Sequence, residues 1–292
     1  MSSLPFSPEY QTALLAVGRR PRAEQWGRSV ISWSIPFAFL DREHAANGNE
    51  VRLLADLRRI DPPLYDHSLL VWALTQHLAA SLGYPEEEQA TIAAAALMHD
   101  VGKLTLPRAL LDKPARLTPQ EYAVMQQHSA VGAYLLQQMH TDDRVIELVY
   151  HHHERWDGQG YPTGLAGLAI PTGARLIAIA DALGVMTTPR PYQQARPISA
   201  AIQELERCAG TQFDPLLVQQ CSASLRSSIP FFWQRGASLT RLLWRLRTSW
   251  LARRKSQEDV PLRPVHPSAM ANGETTSDRH LCQDLLQPSL SS

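Results

Sequence analysis

The spacing of apolar and polar residues divides the chain into a long helical segment and two flanks with weaker patterns. Over about residues 63–225, apolar residues recur at intervals of three and four, the period of a helix packed on one face. No sustained alternation of apolar and polar residues indicates strands there. The pattern predicts helices over residues 65–82, 86–98, 119–138, 143–152, 173–186 and 198–209. We therefore expect an all-α fold, a helical bundle.

One helix start carries a specific signal. Thr118 is a good N-cap residue, Pro119 suits the first helical position, and Glu121 follows Thr118 by three residues. Together these residues predict a capping box.

The two ends of the chain are less informative. Residues 1–58 form a region of unknown role that is too short for a phosphoacceptor receiver domain. Over residues 239–255, leucines share one helical face and arginines fill the others, so we expect a basic amphipathic helix within residues 228–256. That helix either packs on the preceding domain or makes weak peripheral contact with an anionic membrane. The Ser- and Pro-rich residues 257–292 are expected to be disordered.

Composition narrows the classes of partner and compartment. Lys plus Arg equals Asp plus Glu, at 28 each, so no global field favours a nucleic acid polymer. The apolar stretch 30–40 is far shorter than the ~20 residues of a transmembrane helix, and none is expected. The three cysteines are far apart and lack metal-ligand spacing. We expect thiols and a cytoplasmic protein.

The candidate chemistry begins with His99 and Asp100, which are adjacent at the end of a helix of small residues. Such neighbours can hold a metal ion, although an isolated His-Asp pair more often caps a helix and forms an ion pair. Asp181 favours a metal, because a carboxylate within the apolar run 176–186 needs a compensating cation. Further histidines stand on other predicted helices: His67, His128, His152 and His153.

In this order the motifs resemble the HD-GYP family, a branch of the HD phosphohydrolase superfamily, over about residues 63–225. The matching features are His67-Ser68, HDVGK at 99–103, Lys113-Pro114, Leu117-Thr118, His128, HHERWDGQGYP at 152–162, Ile170-Pro171, Ala174-Arg175, Asp181 and Arg190-Pro191-Tyr192. An additional histidine, His151, precedes the family pair. The segment 155–158 that follows fixes this pair as His152 and His153, so His151 is expected to be a neighbour of the site.

The resemblance implies an HD-GYP catalytic domain over residues 59–227 with two divalent metal ions, iron or manganese. One ion would be held by His67, His99, Asp100 and Asp181, and the other by Asp100, His128, His152 and His153. Some relatives bind a third ion through a glutamate one turn before the first histidine. Pro63 occupies that position here, so we expect a binuclear site.

The implied reaction is hydrolysis of cyclic di-GMP to linear pGpG by a metal-activated hydroxide, with further cleavage to GMP left open. Asp100 and Lys103 would be catalytic, and Lys103 would also contact a phosphate oxygen. Tyr161 would offer a surface to a guanine base, whereas Arg190 either pairs with phosphate or braces the fold. Family members also contact diguanylate cyclases through the GYP loop, and a homodimer is a further expectation.

Two alternatives of different class stay open. One is an HD hydrolase acting on another nucleotide, such as the hybrid cyclic GMP-AMP, and the other is a module that senses cyclic di-GMP or docks on its synthases without cleaving it. The complete ligand set favours catalysis. Gly184 replaces an aspartate that many relatives carry three residues after the metal aspartate, which predicts altered packing or activity but no lost ligand.

Overall fold

The computed structural model describes residues 49–189 and 194–228, and in these ranges it is helical without a β-strand. The α-helices are α1 Asn49–Ile60, α2 Pro62–Ser81, α3 Glu86–Met98, α4 Arg108–Leu111, α5 Pro119–Met125, α6 Gln127–Gln138, α7 Asp143–His151, α8 Thr172–Thr187, α9 Ile198–Arg207 and α10 Pro215–Ser228. Short 3₁₀ helices cover Val101–Thr105 and Gly167–Ala169. The expected all-α class is confirmed.

The core lies where α2, α3 and α8 pack together, and these three helices are apolar over most of their circumference. Ala93, Ala95 and Ala96 of α3 are fully buried. Their small side chains allow neighbouring backbones to approach closely, so the carboxyl end of α3 is carried deep into the bundle.

Helix α1 extends this core toward the amino terminus. Its Leu53, Leu54 and Leu57 are almost completely buried, and the helix packs along α2. The packed unit therefore reaches back at least to residue 49, into the region 1–58 whose role the sequence does not indicate. The domain limits of 59 and 227 stay a prediction.

Most predicted helices lie within a few residues of the observed ones, and α3 has the predicted bounds. The segment predicted as one helix over 119–138 is two helices that meet at Gln126. Helices α1, α4 and α10 are not among the predicted helices. Helix α4 has four residues, too few for a periodic pattern, and α10 has only weak amphipathic spacing.

Side-chain caps define the starts of helices α5 and α2. The capping box is confirmed: Thr118 Oγ1 accepts from the Glu121 amide at 3.3 Å, and Glu121 Oε2 accepts from the Thr118 amide at 2.7 Å. Asp61 caps helix α2, and its Oδ1 accepts from the Leu64 amide at 3.0 Å. This cap fixes the start of the helix that carries His67.

Several expectations fall outside the described residues, namely the amphipathic helix, the disordered tail and the surroundings of Arg190. Among the described helices, none combines the length and apolar character needed to cross a membrane.

The expectation of three thiols is wrong, because Cys208 is disulfide-bonded. Cys221 is a buried free thiol.

Candidate metal centre

Five helices bring the seven predicted ligands to one place. His67 lies in the second turn of α2, and Asp181 lies at the middle of α8. His99 caps α3 and Asp100 opens the following 3₁₀ turn. The remaining ligands are His128 in the first turn of α6 and the pair His152 and His153 directly after α7.

One donor cluster consists of Asp100, His128, His152 and His153, all of them buried, with their ligand atoms within 4.8 Å of one another. His128 Nε2 lies at its centre, 3.1 Å from His153 Nε2 and 3.4 Å from His152 Nε2. Asp100 Oδ1 is 3.4 Å from the same nitrogen. We call this set the cluster of three histidines.

A second donor cluster, of His67, His99 and Asp100, adjoins the first. Asp100 Oδ2 lies 3.3 Å from His99 Nε2 and 3.8 Å from His67 Nε2. Asp181 joins this side, with Oδ1 at 2.9 Å from His67 Nε2 and 4.0 Å from His99 Nε2. Asp100 therefore turns one carboxylate oxygen toward each cluster.

Backbone carbonyl groups orient three of the histidines in the same way. The Nδ1 atoms of His99, His128 and His152 lie 2.6–2.8 Å from the carbonyl oxygen three residues earlier in the chain. If Nδ1–H donates to that oxygen, Nε2 keeps its lone pair and faces the cluster. This is the tautomer that a metal-binding imidazole needs.

The residues present fit a metal ion. His99 Nε2 and Asp100 Oδ1 are buried and have no hydrogen-bond partner among the described residues. A buried polar atom left in this way is costly unless a cation or water completes it. Imidazole and carboxylate donors without thiolate suit iron or manganese.

The charges of the site match this purpose. Burial, with Lys103 nearby, lowers the pKa of His128 to about 4, and burial next to other histidines lowers the pKa of His152 to about 3. Both imidazoles are therefore neutral near pH 7, the form that binds a metal ion. Burial alone would raise the pKa of Asp100, but His99 and Lys103 outweigh it and hold that pKa well below its ordinary value. The Asp100 carboxylate is thus an anion.

Lys103 lies at the more open side of the site. Its Nζ is 2.7 Å from Asp100 Oδ2, and its side chain keeps 23% of its surface exposed, against 1% for Asp100. Four side chains make up the second donor cluster with Asp181, and His67 is the most exposed of them, at 11%. The others are His99, Asp100 and Asp181. Lys103 and His67 are therefore the members of this side that solvent reaches most easily.

A close contact between backbones holds the two clusters in register. A Cβ atom at Gly102 would lie 1.9 Å from His128 O and 2.7 Å from the amide nitrogen of Gly132. Any larger residue would push the turn that carries Asp100 away from α6. The glycine of the HDVGK motif therefore brings Asp100 and His128 together.

The loop after the histidine pair folds back over the cluster of three histidines. The half-buried Tyr161 ring stacks on His153, with ring centroids 4.8 Å apart and planes at 29°. His151 belongs to neither donor cluster, and its Nδ1 lies 3.4 Å from Glu154 Oε1.

The sequence did not single out Glu154, a fully buried carboxylate. In the sequence, the one feature that could have drawn attention to Glu154 is its position directly after the candidate ligands His152 and His153.

Known proteins with similar sequences point to one family. The sequence profile of the HD domain family matches residues 45–217. A cyclic di-GMP phosphodiesterase of Thermotoga maritima is 34% identical over 171 residues, which cover 58% of this chain and 46% of the relative. A cyclic di-GMP phosphodiesterase response regulator of Xanthomonas campestris is 41% identical over 145 residues, covering 48% and 38%.

Further relatives differ in the substrate that their names state. A 3'3'-cGAMP-specific phosphodiesterase of Vibrio cholerae is 44% identical over 129 residues, covering 44% of this chain and 30% of the relative. A solved HDG"Y"P protein from Bdellovibrio bacteriovorus aligns with a TM-score of 0.47 and 26% identity, covering 57% of this chain and 53% of that one.

These matches cover less than half of each curated relative. The donor clusters and the ordered motifs around them lie within residues 45–217, the range that the HD domain profile matches. The chain belongs to the HD domain family, in its HD-GYP branch.

Proposed function

We propose that this chain is a metal-dependent phosphodiesterase that hydrolyses cyclic di-GMP to linear pGpG. The observation that carries the proposal is the position of Asp100, whose two carboxylate oxygens face two separate donor clusters. A carboxylate shared in this way is the expected bridge of a two-metal site, which suits in-line attack on a phosphodiester.

His67, His99, Asp100 and Asp181 would hold one divalent ion, and Asp100 with His128, His152 and His153 would hold the other. Iron or manganese fits this mixture of imidazole and carboxylate donors. When bound, the two ions would act as Lewis acids toward the phosphate and lower the pKa of a water molecule that serves as the nucleophile.

The protein's own charged groups would orient the substrate. Lys103 is kept beside Asp100 at the open side of the site, where its ammonium group can offset charge on a non-bridging phosphate oxygen. We also assign substrate contacts to Tyr161 and to Arg190. One face of Tyr161 packs on His153, so a guanine base would use the remaining surface of the ring.

The substrate is a cyclic dinucleotide in both versions of the proposal that the relatives support. Cyclic di-GMP is the first choice, because the names of the Thermotoga and Xanthomonas relatives state it. 3'3'-cGAMP is the second candidate, because the Vibrio relative shares 44% identity over the matched region. The two substrates differ in one base, so the same metal centre would serve either.

A role as a non-cleaving sensor is less well supported, since every donor of the two clusters is in place. Docking of a diguanylate cyclase on the GYP loop, a homodimer and a cytoplasmic location stay predictions.

The proposal is tested with protein purified without oxygen and reloaded with Fe²⁺ or Mn²⁺. Cyclic di-GMP and 3'3'-cGAMP are offered separately, and the products are separated by chromatography. We expect pGpG from cyclic di-GMP, at a higher rate than any product from 3'3'-cGAMP. Asp100→Ala should reduce the rate at least ~10³-fold, because it removes the bridge between the metal sites.

Asp112→Ala is the matched control, an aspartate with an exposed side chain that pairs with Arg108 away from the donor clusters. It should keep the wild-type rate. Metal-loaded protein that binds cyclic di-GMP and never cleaves it would replace the enzyme proposal by the sensor. Faster cleavage of 3'3'-cGAMP would reverse the order of the two substrates.

A further inference from the structure

His153 differs from the other members of its cluster in how its ring is held. The Nδ1 atoms of His128 and His152 each contact a backbone carbonyl oxygen, whereas His153 Nδ1 is buried without a hydrogen-bond partner among the described residues. Within residues 49–189 and 194–228, no hydrogen bond on Nδ1 therefore fixes the rotation of this ring. Its orientation has to come from the side chains that pack against it.

Three rings surround His153. His152 lies at a centroid distance of 4.0 Å, and His128 meets it edge-on at 4.8 Å. Tyr161 is the only one of the three that is not itself a proposed ligand, and it stacks nearly parallel to the imidazole, at 29°. The ring of Tyr161 thus closes the cluster from the loop side.

The backbone places Tyr161 closely. Its amide donates to His153 O at 3.2 Å. A Cβ atom at Gly160 would lie 2.3 Å from the Arg155 amide nitrogen and 2.6 Å from His153 O, so only glycine lets the loop lie on this backbone. The loop backbone is therefore packed directly on the backbone of His153.

Glu154 ties the far side of the same loop. Its Oε1 accepts from the Thr163 amide at 2.8 Å and from the Thr163 hydroxyl at 2.6 Å, while Oε2 accepts from the Leu165 amide at 3.1 Å. The Glu154 side chain has no exposed surface. A buried carboxylate with this many donors is a strong local anchor.

We propose that Tyr161 and Glu154 are positioning residues for His153 and thereby set the metal affinity of the cluster of three histidines. Glu154 closes the loop 154–165, and the closed loop presses the Tyr161 ring against the imidazole. The ring then aims His153 Nε2 at the centre of the cluster, 3.1 Å from His128 Nε2. The inference rests on the metal centre of the proposed function, but not on its substrate.

The test compares Tyr161→Leu, Tyr161→Phe and Glu154→Gln with the full-length wild-type protein. Mn²⁺ affinity is measured by the electron paramagnetic resonance of free Mn²⁺, and bound Co²⁺ is followed by its visible absorption. Tyr161→Leu should weaken one of two bound Mn²⁺ ions by about 10–100-fold and shift the Co²⁺ spectrum, the size typical of lost outer-shell support. Tyr161→Phe keeps the ring and should retain wild-type affinity.

Glu154→Gln should weaken the binding of the same ion. The side-chain amide of glutamine places an N–H group next to the N–H or O–H donors of Thr163 or Leu165, so at least one of the present hydrogen bonds is lost. Tyr150→Leu is the control, since this half-buried tyrosine meets His151 rather than a proposed ligand. It should leave both affinities unchanged. Circular dichroism establishes that each variant is folded, and Glu154→Gln carries the test if Tyr161→Leu does not fold.

Wild-type Mn²⁺ affinity in the folded Tyr161→Leu or Glu154→Gln variant would overturn the inference. An equal loss in Tyr161→Phe or Tyr150→Leu would overturn it as well, since the effect would then not depend on the stacked ring. Wild-type protein that binds fewer than two ions would do the same. Wild-type protein that binds two ions without cleaving a cyclic dinucleotide would contradict the proposed function and leave this test valid.

Discussion

At the scale of single residues, the site depends on where small side chains let larger ones meet. Gly102 has backbone atoms of His128 and Gly132 where a side chain would begin. Gly184 lies close to His67, a proposed ligand, but its surroundings are looser: a Cβ atom there would be 3.5 Å from His67 Cε1, an ordinary contact. A methyl group would therefore clash with backbone atoms at Gly102 and fit without a clash at Gly184.

We predict that Gly102→Ala lowers the free energy of unfolding by about 1–3 kcal/mol or more, because the methyl group overpacks a contact between backbones. Metal affinity should fall with it, since Asp100 and His128 are forced apart. Gly184→Ala is the control and should be neutral or stabilising by roughly 0.5–1 kcal/mol, as expected for alanine inside a helix. Urea unfolding measures both values, and equal stability of the two variants would contradict the packing argument.

The order of motifs in the sequence predicts which candidate ligand residues come together, because it places histidines and aspartates on separate helices that pack around one core. It does not predict Glu154. A glutamate beside a histidine pair looks like a solvated residue, and only the folded loop shows that Thr163 and Leu165 return to it.

At the scale of elements, helix α2 has to hold His67 at a fixed height beside α8. Asp61 anchors its start in two ways, by accepting from the Leu64 amide and by pairing with Arg108 Nη1 at 2.6 Å. Arg108 opens α4, which follows the turn that carries Asp100 and Lys103. The pair thus connects the two chain segments that supply the second donor cluster.

We expect Asp61→Ala to destabilise the protein by about 1–2 kcal/mol, the usual cost of losing an N-cap. Asp61→Asn keeps the capping oxygen and loses only the charge pair, which is partly exposed and contributes at most about 1 kcal/mol. Thermal unfolding should therefore rank the wild type, Asp61→Asn and Asp61→Ala in that order. Equal loss in both variants would show that the ion pair, and not the cap, sets the position of α2.

Helical periodicity predicts most elements well and fails where the chain turns inside a helical pattern. Residues 119–138 are predicted as one helix, whereas α5 ends at Met125 and α6 begins at Gln127, just before His128. The backbone of His128 in the first turn of α6 lies against Gly102, a contact between distant parts of the chain that no local pattern records.

At the scale of the whole molecule, the buried histidines make stability depend on pH. Histidine in an unfolded chain has a pKa near 6.5, whereas the folded protein holds the pKa of His128 at about 4 and that of His152 at about 3. Below pH 6.5 the unfolded chain therefore binds protons that the folded protein does not, and the folded state loses stability. His99 has a raised pKa, because the field of Asp100 outweighs its burial. The stability that His99 contributes is fully present below pH 6.5, so His99 adds nothing to the loss on acidification.

We predict that metal-free protein loses stability steadily as the pH falls from 6.5 to about 4, by about 1.4 kcal/mol per pH unit for each histidine that stays neutral. Urea unfolding at a series of pH values measures the slope. The double variant His128→Asn with His152→Asn removes two of these groups and should flatten it. An unchanged slope in a folded double variant would mean that these rings are not buried in the neutral form.

The central claim is a pair of metal ions bridged by Asp100. Electron paramagnetic resonance of Mn²⁺-loaded protein tests it most directly, together with the ratio of metal to protein. We predict two ions per chain and an exchange-coupled spectrum in the wild type, with the coupling lost in Asp100→Ala and kept in Asp112→Ala. A single ion per chain, or two uncoupled ions, would contradict the account.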